Sequence, residues 1–440
     1  MSPAVFSGKW LGKTAGKFIS FIGFVVFFIL DFLDNVFCII FRILDEWFEG
    51  KGSACYCEKR GEVVDDGKSE VSETLYGRKN FFREMGFLGF PRKWENSKKI
   101  GVGGVVANRW SDCGCESCVS WMKNDDQKLH VVVREPSKET IEDCRVKPAE
   151  NVIFMHGFLS SSSFWTETVF PNISEPINHN YRLFAVDLLG FGRSPKPRDC
   201  SYTLKDHIEM IEKSVNYPFA LDSFHLVAHS MGCIIALAFA AKHSNSVKSI
   251  TLVAPPYCST KDGGSLIALN KLAERRLWPP LLFGSAVMSW YEHLGRCVCF
   301  LFCRNHRIWE KMLKLLTWKR DLHFMMMDLT RHTHHSAWHT MHNVLCGGAK
   351  VLDDYLTVLV KASTKICVVH GDKDQVVPME CINTIKMKAP HSEVNILRNA
   401  DHSTVILGRE KEFAQYLEHI WASLADIASN EEHCLKNSNT

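Results

Sequence analysis

Seven short stretches between residues 129 and 399 are rich in β-branched and aromatic residues. They are LHVVVREP, NVIFMHGF, YRLFAVDLLG, FHLVAHS, VKSITLVAPP, TKICVVHGDKD and EVNILRN. Several are apolar without interruption, as is typical of parallel strands covered on both faces. Stretches with helical spacing, such as LKDHIEMIEKSV and CIIALAFAAKHS, lie between them. This alternation predicts an α/β fold with a mostly parallel central sheet and helices on both faces.

The strand pattern stops between residues 258 and 362. RIWEKMLKLL and VLDDYLTVLV have helical spacing in this stretch, and a long insertion between two strands is usually functional. We predict a helical cap over the ends of the strands, inserted before the TKICVVHGDKD strand. A separate helical domain with no role in the site is the alternative. The α/β core then comprises residues 101–257 and 363–425, and a polar tail follows at 426–440.

Residues 1–46 form a hydrophobic segment in which lysines precede the apolar run FISFIGFVVFFIL at 18–30. A positive region before about a dozen apolar residues is typical of a signal peptide or signal anchor. A longer membrane span would include Asp31 and Asp34, which each cost about 2.5–3.5 kcal/mol at the centre of a bilayer. A helix on the membrane surface and a helix packed against the folded domain are the alternatives. We favour retention on the membrane.

Composition narrows the function classes. The 440 residues are 46% hydrophobic and 23% charged, with a formal net charge of +3 and no dominant basic stripe. Nucleic-acid binding is therefore not expected. The polar composition of residues 47–100 indicates a tether between the hydrophobic segment and the folded body. Cys55 and Cys57 in this tether are candidates for S-acylation. The 17 cysteines are an odd number, so disulfides in the secretory pathway would leave at least one thiol over.

The stretch HLVAHSMGC places Ser230 between a predicted strand and a predicted helix. This is the pattern of a nucleophile elbow, in which the residues two positions before and two positions after the serine are small. Ala228 stands where the first glycine is usual. The turn would also direct the N–H of Met231, at a helix N-terminus, towards the reacting carbonyl. A serine that caps a helix in an inert α/β protein gives the same local pattern.

Two loops downstream supply the groups that would activate this serine. In this architecture the acid and then the histidine follow the serine along the chain. Asp374, in GDKDQVVP, is the better candidate acid, and Asp372 would brace the turn. His402, in NADHS, follows the next strand. Since a serine hydroxyl is a weak nucleophile without a base, we predict that Ser230, Asp374 and His402 form a catalytic triad.

A loop upstream completes the predicted site. Acyl transfer needs two N–H donors for the developing oxyanion, and an elbow supplies only one. The strand NVIFM ends in His156, Gly157 and Phe158. We predict that the N–H of Phe158 is the second donor and that Gly157 permits its close approach. His156 is predicted to shape the loop and not to act as an acid or base.

The motifs HGFLSSSSFW, VDLLGFGRSPKP, HLVAHSMG, GDKDQVVP and NADHS, in this order, resemble the α/β-hydrolase superfamily with a helical cap. The apolar N-terminus with CYC, together with RHTHHSAWHTMHNVLCGGAK, is similar to the plant BODYGUARD family. This resemblance implies serine hydrolase or acyltransferase chemistry on lipid acyl esters at Ser230, Asp374 and His402. It also implies a lysophospholipase-type role in cuticle and cutin formation, in a secreted or membrane-anchored protein at the plasma membrane or cell wall.

Two further clusters contain residues that could bind a metal. His335 and His339 are one helical turn apart in a group that comprises His332, His334, His335, His339 and His342. The group lacks the glutamate of H-E-x-x-H, so we predict a hydrogen-bonded cap helix. CGCESC, with Cys113, Cys115 and Cys118, fits a metal half-site, a disulfide knot or lipidated thiols. It lacks a second cysteine pair at zinc-ribbon spacing, and we assign no metal.

The sequence thus predicts a serine hydrolase without a cofactor, in which water or an alcohol resolves an acyl-enzyme. The expected partners are a lipid or fatty-acyl ester and a membrane contacted through the N-terminus. An acyltransferase that builds polyester and a non-catalytic binding protein with the same fold are the rivals. Aspartate-nucleophile relatives such as epoxide hydrolases are disfavoured because the elbow residue is serine. The oligomeric state stays open.

Overall fold

One seven-stranded sheet organises the computed structural model, which describes residues 4–50, 71–75, 80–85, 109–122, 128–137, 150–257 and 289–438. The strand order is β1-β3-β2-β4-β5-β6-β7. β1 is antiparallel to β3, and all other neighbouring strands are parallel. The strands are Val131–Arg134 (β1), Glu150–Met155 (β2), Tyr181–Val186 (β3), Phe224–His229 (β4), Val247–Val253 (β5), Lys365–Gly371 (β6) and Glu393–Leu397 (β7). Each overlaps one of the seven predicted stretches, and the predicted fold class is confirmed.

Helices connect the strands and precede the sheet. The α-helices are Ala4–Glu49 (α1), Phe81–Glu84 (α2), Glu116–Met122 (α3), Ser163–Thr166 (α4), Glu175–Asn180 (α5), Leu204–Ile211 (α6), Met231–Lys242 (α7), Glu292–Phe302 (α8), His306–Thr317 (α9), Phe324–Asp328 (α10), His334–Thr340 (α11), Leu352–Lys361 (α12), Met379–Lys388 (α13) and Glu410–Ser438 (α14). Short 3-10 helices occur at Glu73–Leu75, Phe170–Asn172 and Gly347–Lys350, and π-helical turns at Glu212–Asn216 and Met341–Cys346.

The central strand β4 explains the uninterrupted apolar runs. All six of its residues are buried. Leu226 belongs to a core cluster that includes α7 and α12, whereas Val227 belongs to a cluster with Trp165 and Trp421 of α14. Because successive side chains of a strand point to opposite faces, a sheet covered on both sides requires apolar residues at every position.

The described residues between β5 and β6, 289–361, contain helices and no strand. The last of these helices, α12, packs on α7 of the core layer. Leu352, Leu356 and Leu359 bury their side chains in the same core cluster as Ile234 of α7. The final helix, α14, continues through the segment predicted as a polar tail, up to Ser438.

The long helix α1 is attached to α8. Asp34 is buried, and its Oδ1 accepts hydrogen bonds from the backbone N–H groups of His293 (3.0 Å) and Leu294 (3.3 Å), in the first turn of α8. Asp45 forms a buried ion pair with Arg296, with N–O distances of 2.7 and 2.5 Å. Acidic side chains that would oppose a membrane span therefore bind a neighbouring helix instead.

The opposite side of α1 is apolar and exposed, with large side chains at Phe21, Phe24, Phe28, Ile43 and Trp47. Within the described residues, Phe24–Glu49 is the one helix long and apolar enough to cross a membrane. A signal sequence or an anchor also has such a helix. Most of the predicted tether, with Cys55 and Cys57, lies outside the described residues.

Candidate active site

Ser230 lies at the sharp turn between β4 and α7, with φ 52° and ψ −124°. A non-glycine residue rarely adopts positive φ, and this geometry is typical of a strained nucleophile elbow. The N–H of Ser230 donates to the carbonyl of Val253 at 2.8 Å, which fixes the turn against β5. A Cβ on Gly232 would lie 2.5 Å from the carbonyl oxygen of His156, so only glycine fits there. Ala228 is fully buried in β4, beside Met155 of β2 and Leu252 of β5.

The structure brings the three predicted triad residues together. The Nε2 atom of His402 is 2.9 Å from the Oγ atom of Ser230, and its Nδ1 atom is 2.8 Å from Oδ2 of Asp374. The other carboxylate oxygen of Asp374 accepts hydrogen bonds from the N–H groups of Val376 (2.7 Å) and Val377 (2.8 Å). Nδ1–H thus donates to the carboxylate, and Nε2 can accept the serine proton.

Electrostatics keep this carboxylate ionised. Burial opposes ionisation of Asp374, but hydrogen bonds and charge attraction from His402, with the two backbone donors, outweigh it and lower the pKa. Asp372, the other acid of the loop, is exposed. Its backbone N–H donates to the carbonyl of Leu397 at 3.1 Å.

The loop after β2 lies directly against the elbow. A Cβ on Gly157 would lie 3.1 Å from the Cβ of Ser230, so the backbone on either side of Gly157 borders the serine. Met231 is the first residue of α7, and its N–H therefore has no carbonyl partner within the helix. The Nε2 atom of His156 accepts a hydrogen bond from the N–H of Leu188 at 2.9 Å, and Nδ1 lies 2.7 Å from the carbonyl of Gly157. Burial lowers the pKa of His156, so the ring is neutral at pH 7.

His229 is a site residue that the sequence analysis missed. Its Nε2 atom lies 3.0 Å from the backbone carbonyl of His402, and its ring stacks on Phe164 with centroids 4.8 Å apart. Burial, with a smaller contribution from His402, lowers its pKa to about 3. The neutral ring therefore donates its Nε2–H to that carbonyl and holds the loop of the candidate base. His229 directly precedes the serine, at a position of the elbow motif that accepts any residue, so the motif gave no indication of this role.

Known proteins are similar to this chain in sequence. A family model described as "alpha/beta hydrolase fold" matches residues 150–278. "Probable lysophospholipase BODYGUARD 4" of Arabidopsis thaliana is 54% identical over 410 residues, which cover 91% of this chain and 96% of that protein. The chain belongs to the BODYGUARD family of α/β-hydrolases. It is a serine ester hydrolase.

A second relative gives the same assignment, and a solved structure is similar in part. "Probable lysophospholipase BODYGUARD 5" of Arabidopsis thaliana is 53% identical over 90% of this chain and 94% of that protein. A solved carboxylesterase structure from Nitrososphaera gargenis superposes with a TM-score of 0.46 and 19% identity, and covers 68% of this chain and 95% of that one.

In this BODYGUARD family member, a buried acid ties the cap to the loop after β2. Oδ2 of Asp328, on α10, accepts a hydrogen bond from the hydroxyl of Ser161 at 2.7 Å. Burial raises the pKa of Asp328 to about 6. Asp187, which follows β3, accepts from the N–H groups of Ser162 (2.5 Å) and Arg193 (2.7 Å). The loop that borders Ser230 is therefore held from both the core and the cap.

The cap histidines bind separate partners. Nε2 of His335 lies 2.9 Å from the carbonyl of Cys200, and Nδ1 of His342 lies 3.0 Å from the hydroxyl of Thr74. Nε2 of His332 contacts the sulfurs of Cys299, on α8, and Cys303, the residue that follows α8. Among the described residues, the histidine pair one turn apart, His335 and His339, joins no group of three or more possible metal ligands.

Proposed function

We propose that Ser230 attacks the carbonyl carbon of a lipid acyl ester while His402 takes its proton. The 2.9 Å contact between Nε2 of His402 and Oγ of Ser230, at the strained elbow, carries this proposal. Asp374 holds the imidazole in the required tautomer and stabilises its cation. His402 then protonates the leaving alcohol, and a water molecule deprotonated by His402 releases the fatty acid from the acyl-enzyme.

The backbone N–H groups of Phe158 and Met231 are the proposed donors to the oxyanion. The position of Gly157 against the Cβ of Ser230 supports the first, and the helix N-terminus at Met231 supports the second. His156 positions the loop through its bond from Leu188. Removing one such donor in other serine hydrolases costs about 100- to 1,000-fold in kcat.

The proposed substrate is a lysophospholipid or a related fatty-acyl ester. The names of the Arabidopsis relatives support this class. The exposed apolar side of α1 supports a membrane contact that keeps the enzyme beside lipid. S-acylation of Cys55 and Cys57 would strengthen that contact. We further propose that the enzyme enters the secretory pathway and acts in cutin and cuticle formation, as the family resemblance implies.

Substitution Ser230→Ala tests the nucleophile. The variant should lose both labelling by a fluorophosphonate probe and turnover of lysophospholipid. Ser423→Ala is the matched control, because its hydroxyl only bonds the carbonyl of Ile420 within α14. Persistent labelling of Ser230→Ala would contradict the assignment.

Product analysis distinguishes hydrolysis from acyl transfer. With an alcohol acceptor present at increasing concentration, a hydrolase releases free fatty acid throughout. A polyester-building acyltransferase would form the new ester at the expense of the acid. Failure of the folded wild-type protein to react with any serine-directed probe would favour a binding protein. Loss of cutin monomers in a plant that carries only Ser230→Ala would tie the reaction to the cuticle.

A further inference from the structure

A group of sulfur and nitrogen atoms connects the segment 109–122 to the cap. Cys113, Cys115 and Cys118 come from the segment, and His306 is the first residue of α9. Their potential ligand atoms all lie within 4.8 Å of one another. The Sγ atoms of Cys115 and Cys118 are each 3.5 Å from Nε2 of His306. We call this group the CGCESC cluster.

The distances suit a single tetrahedral ion. Zinc binds sulfur at about 2.3 Å and imidazole nitrogen at about 2.0–2.1 Å, so two such ligands of a tetrahedron are about 3.6 Å apart. Three cysteines and one histidine are a recurrent ligand set of structural zinc sites. A two-iron cluster divides its ligands between two metal atoms and needs a wider spacing.

A carboxylate completes the arrangement around the histidine. Nδ1 of His306 lies 3.0 Å from Oε1 of Glu310, one turn further along α9. Histidine ligands of metals almost always donate their second N–H to such a group, which fixes the tautomer and orients the ring. Nε2 of His306 is thereby left as the atom that faces the three sulfurs.

The helix in the segment that carries the cysteines is only lightly packed. This helix, α3, has seven residues and buries none of them. Burial of apolar surface, the main force that fixes a short helix, is therefore small there. The N-terminal end of the segment is anchored, because Nε1 of Trp110 donates to Asp45 at 2.7 Å and the hydroxyl of Ser111 accepts from Arg296. The helix itself contacts α9 through Nη2 of Arg307 and Oγ of Ser117 at 3.1 Å.

We propose that the CGCESC cluster binds one structural Zn²⁺ ion that fixes the segment 109–122 to the cap. The ion displaces the protons of the three thiols, and no oxidation or reduction takes place. This departs from the expectation of no metal, which rested on the missing second cysteine pair. The fourth ligand is a histidine almost 190 residues further along the chain.

A second group lies close by on the cap. The sulfurs of Cys299 and Cys303 lie 3.6 and 3.5 Å from Nε2 of His332. It offers three ligands where a structural zinc site has four. The Nδ1 atom of His332 is buried with no hydrogen-bond partner in the described part of the chain. The CGCESC cluster is therefore the more complete site.

Zinc content tests the proposal. The full chain is purified without a polyhistidine tag or chelator, incubated with Zn²⁺, desalted and analysed by inductively coupled plasma mass spectrometry. We expect the double substitution Cys115→Ser and Cys118→Ser to remove one zinc per chain. Cys297→Ser, on α8 outside both groups, is the matched control and should keep the wild-type content. Near-ultraviolet circular dichroism reports whether each variant is folded.

A milder variant guards against misfolding. Glu310→Gln leaves all four ligands in place and should weaken zinc binding by about 10- to 100-fold, as loss of an outer carboxylate does elsewhere. Co²⁺ in place of Zn²⁺ should give the intense visible bands of a tetrahedral thiolate site, which the double variant lacks. The proposal fails if the wild type holds no zinc, or if the double variant keeps the wild-type content. It also fails if intact-mass analysis finds a disulfide within residues 113–118.

Discussion

Ser230 occupies a backbone conformation that a side chain rarely adopts, and its neighbours show how the chain maintains it. Such a residue costs about 1–3 kcal/mol and persists only where its surroundings fix it. Here the bond to Val253 holds the turn, and the absence of a side chain at Gly232 lets it pass β2. Ala228 does not need to be glycine, because there is room for its methyl group, which packs in the core.

Substitution Ala228→Gly tests this difference between the two small positions. It should lower the free energy of unfolding by about 0.5–1 kcal/mol or slightly more, since glycine weakens a strand and a buried methyl group is lost. Ester turnover should be unchanged. Urea denaturation and steady-state kinetics measure the two quantities. A rise in kcat would show that alanine constrains the nucleophile.

Substitution of His229 separates a positioning role from a packing role. His229→Gln keeps an N–H that reaches the carbonyl of His402, whereas His229→Ala removes it. We expect kcat to fall about fivefold in the alanine variant, because one hydrogen bond is worth about 1 kcal/mol, and to recover in the glutamine variant. Equal losses in both would assign His229 to packing on Phe164.

At the scale of elements, the attachment of α1 to α8 depends on buried charge. Both side chains of the Asp45–Arg296 pair are almost fully buried, and Nε1 of Trp110 also donates to Asp45 at 2.7 Å. A signal peptide removed by cleavage would leave Arg296 and the first turn of α8 without these acceptors. These contacts support the proposal that this part of α1 is retained.

The helix α1 contains a matched pair of acids for a test. Asp45→Ala should cost about 3–5 kcal/mol, because it leaves Arg296 buried without its partner. Glu46→Ala removes only a 3.8 Å contact with Arg42 at the surface and should cost less than about 1 kcal/mol. Denaturant unfolding with hydrogen exchange of α1 and α8 compares them. Similar values would mean that the buried pair does not hold the helix.

Across the whole molecule, buried neutral histidines link stability to pH. Burial is the main cause that lowers the pKa of His207 to about 4 and of His225, His229 and His342 to about 3. The unfolded chain binds these protons near pH 6.5, so the free energy of unfolding falls as the pH drops from about 6.5 towards 4. Asp112 and Asp328, with pKa values raised to about 6 by burial, partly oppose this trend.

Substitution His225→Gln measures one of these contributions. Below pH 6, each such histidine adds about 1.4 kcal/mol per pH unit to the acid destabilisation. The variant should therefore lose stability less steeply between pH 6 and pH 4.5 than the wild type. His391→Gln, at an exposed position, is the control and should follow the wild type. Denaturant unfolding across this range gives the slopes, and parallel curves for all three would contradict the linkage.

Much of the fold and of the candidate site could be predicted because both depend on local patterns. Strands buried on both faces need apolar residues at every position, and several such runs were visible among the seven predicted strands. The order of the serine, acid and histidine loops follows from strand order, so Ser230, Asp374 and His402 could be named without coordinates. The role of His229 could not be named, since it depends on a carbonyl 173 residues away.

The sequence by itself determined the sheet, the elbow and the order of the candidate catalytic loops, because strand periodicity and tight turns are properties of neighbouring residues. Only the tertiary structure decided what the remaining polar residues contact. In the sequence alone, the acidic residues Asp34 and Asp45 argue against a membrane span. In the structure, both side chains bind α8. CGCESC supplies three of four potential metal ligands, and the packing of α9 brings the fourth, His306, to them. Contacts between distant segments depend on packing, which no local pattern encodes.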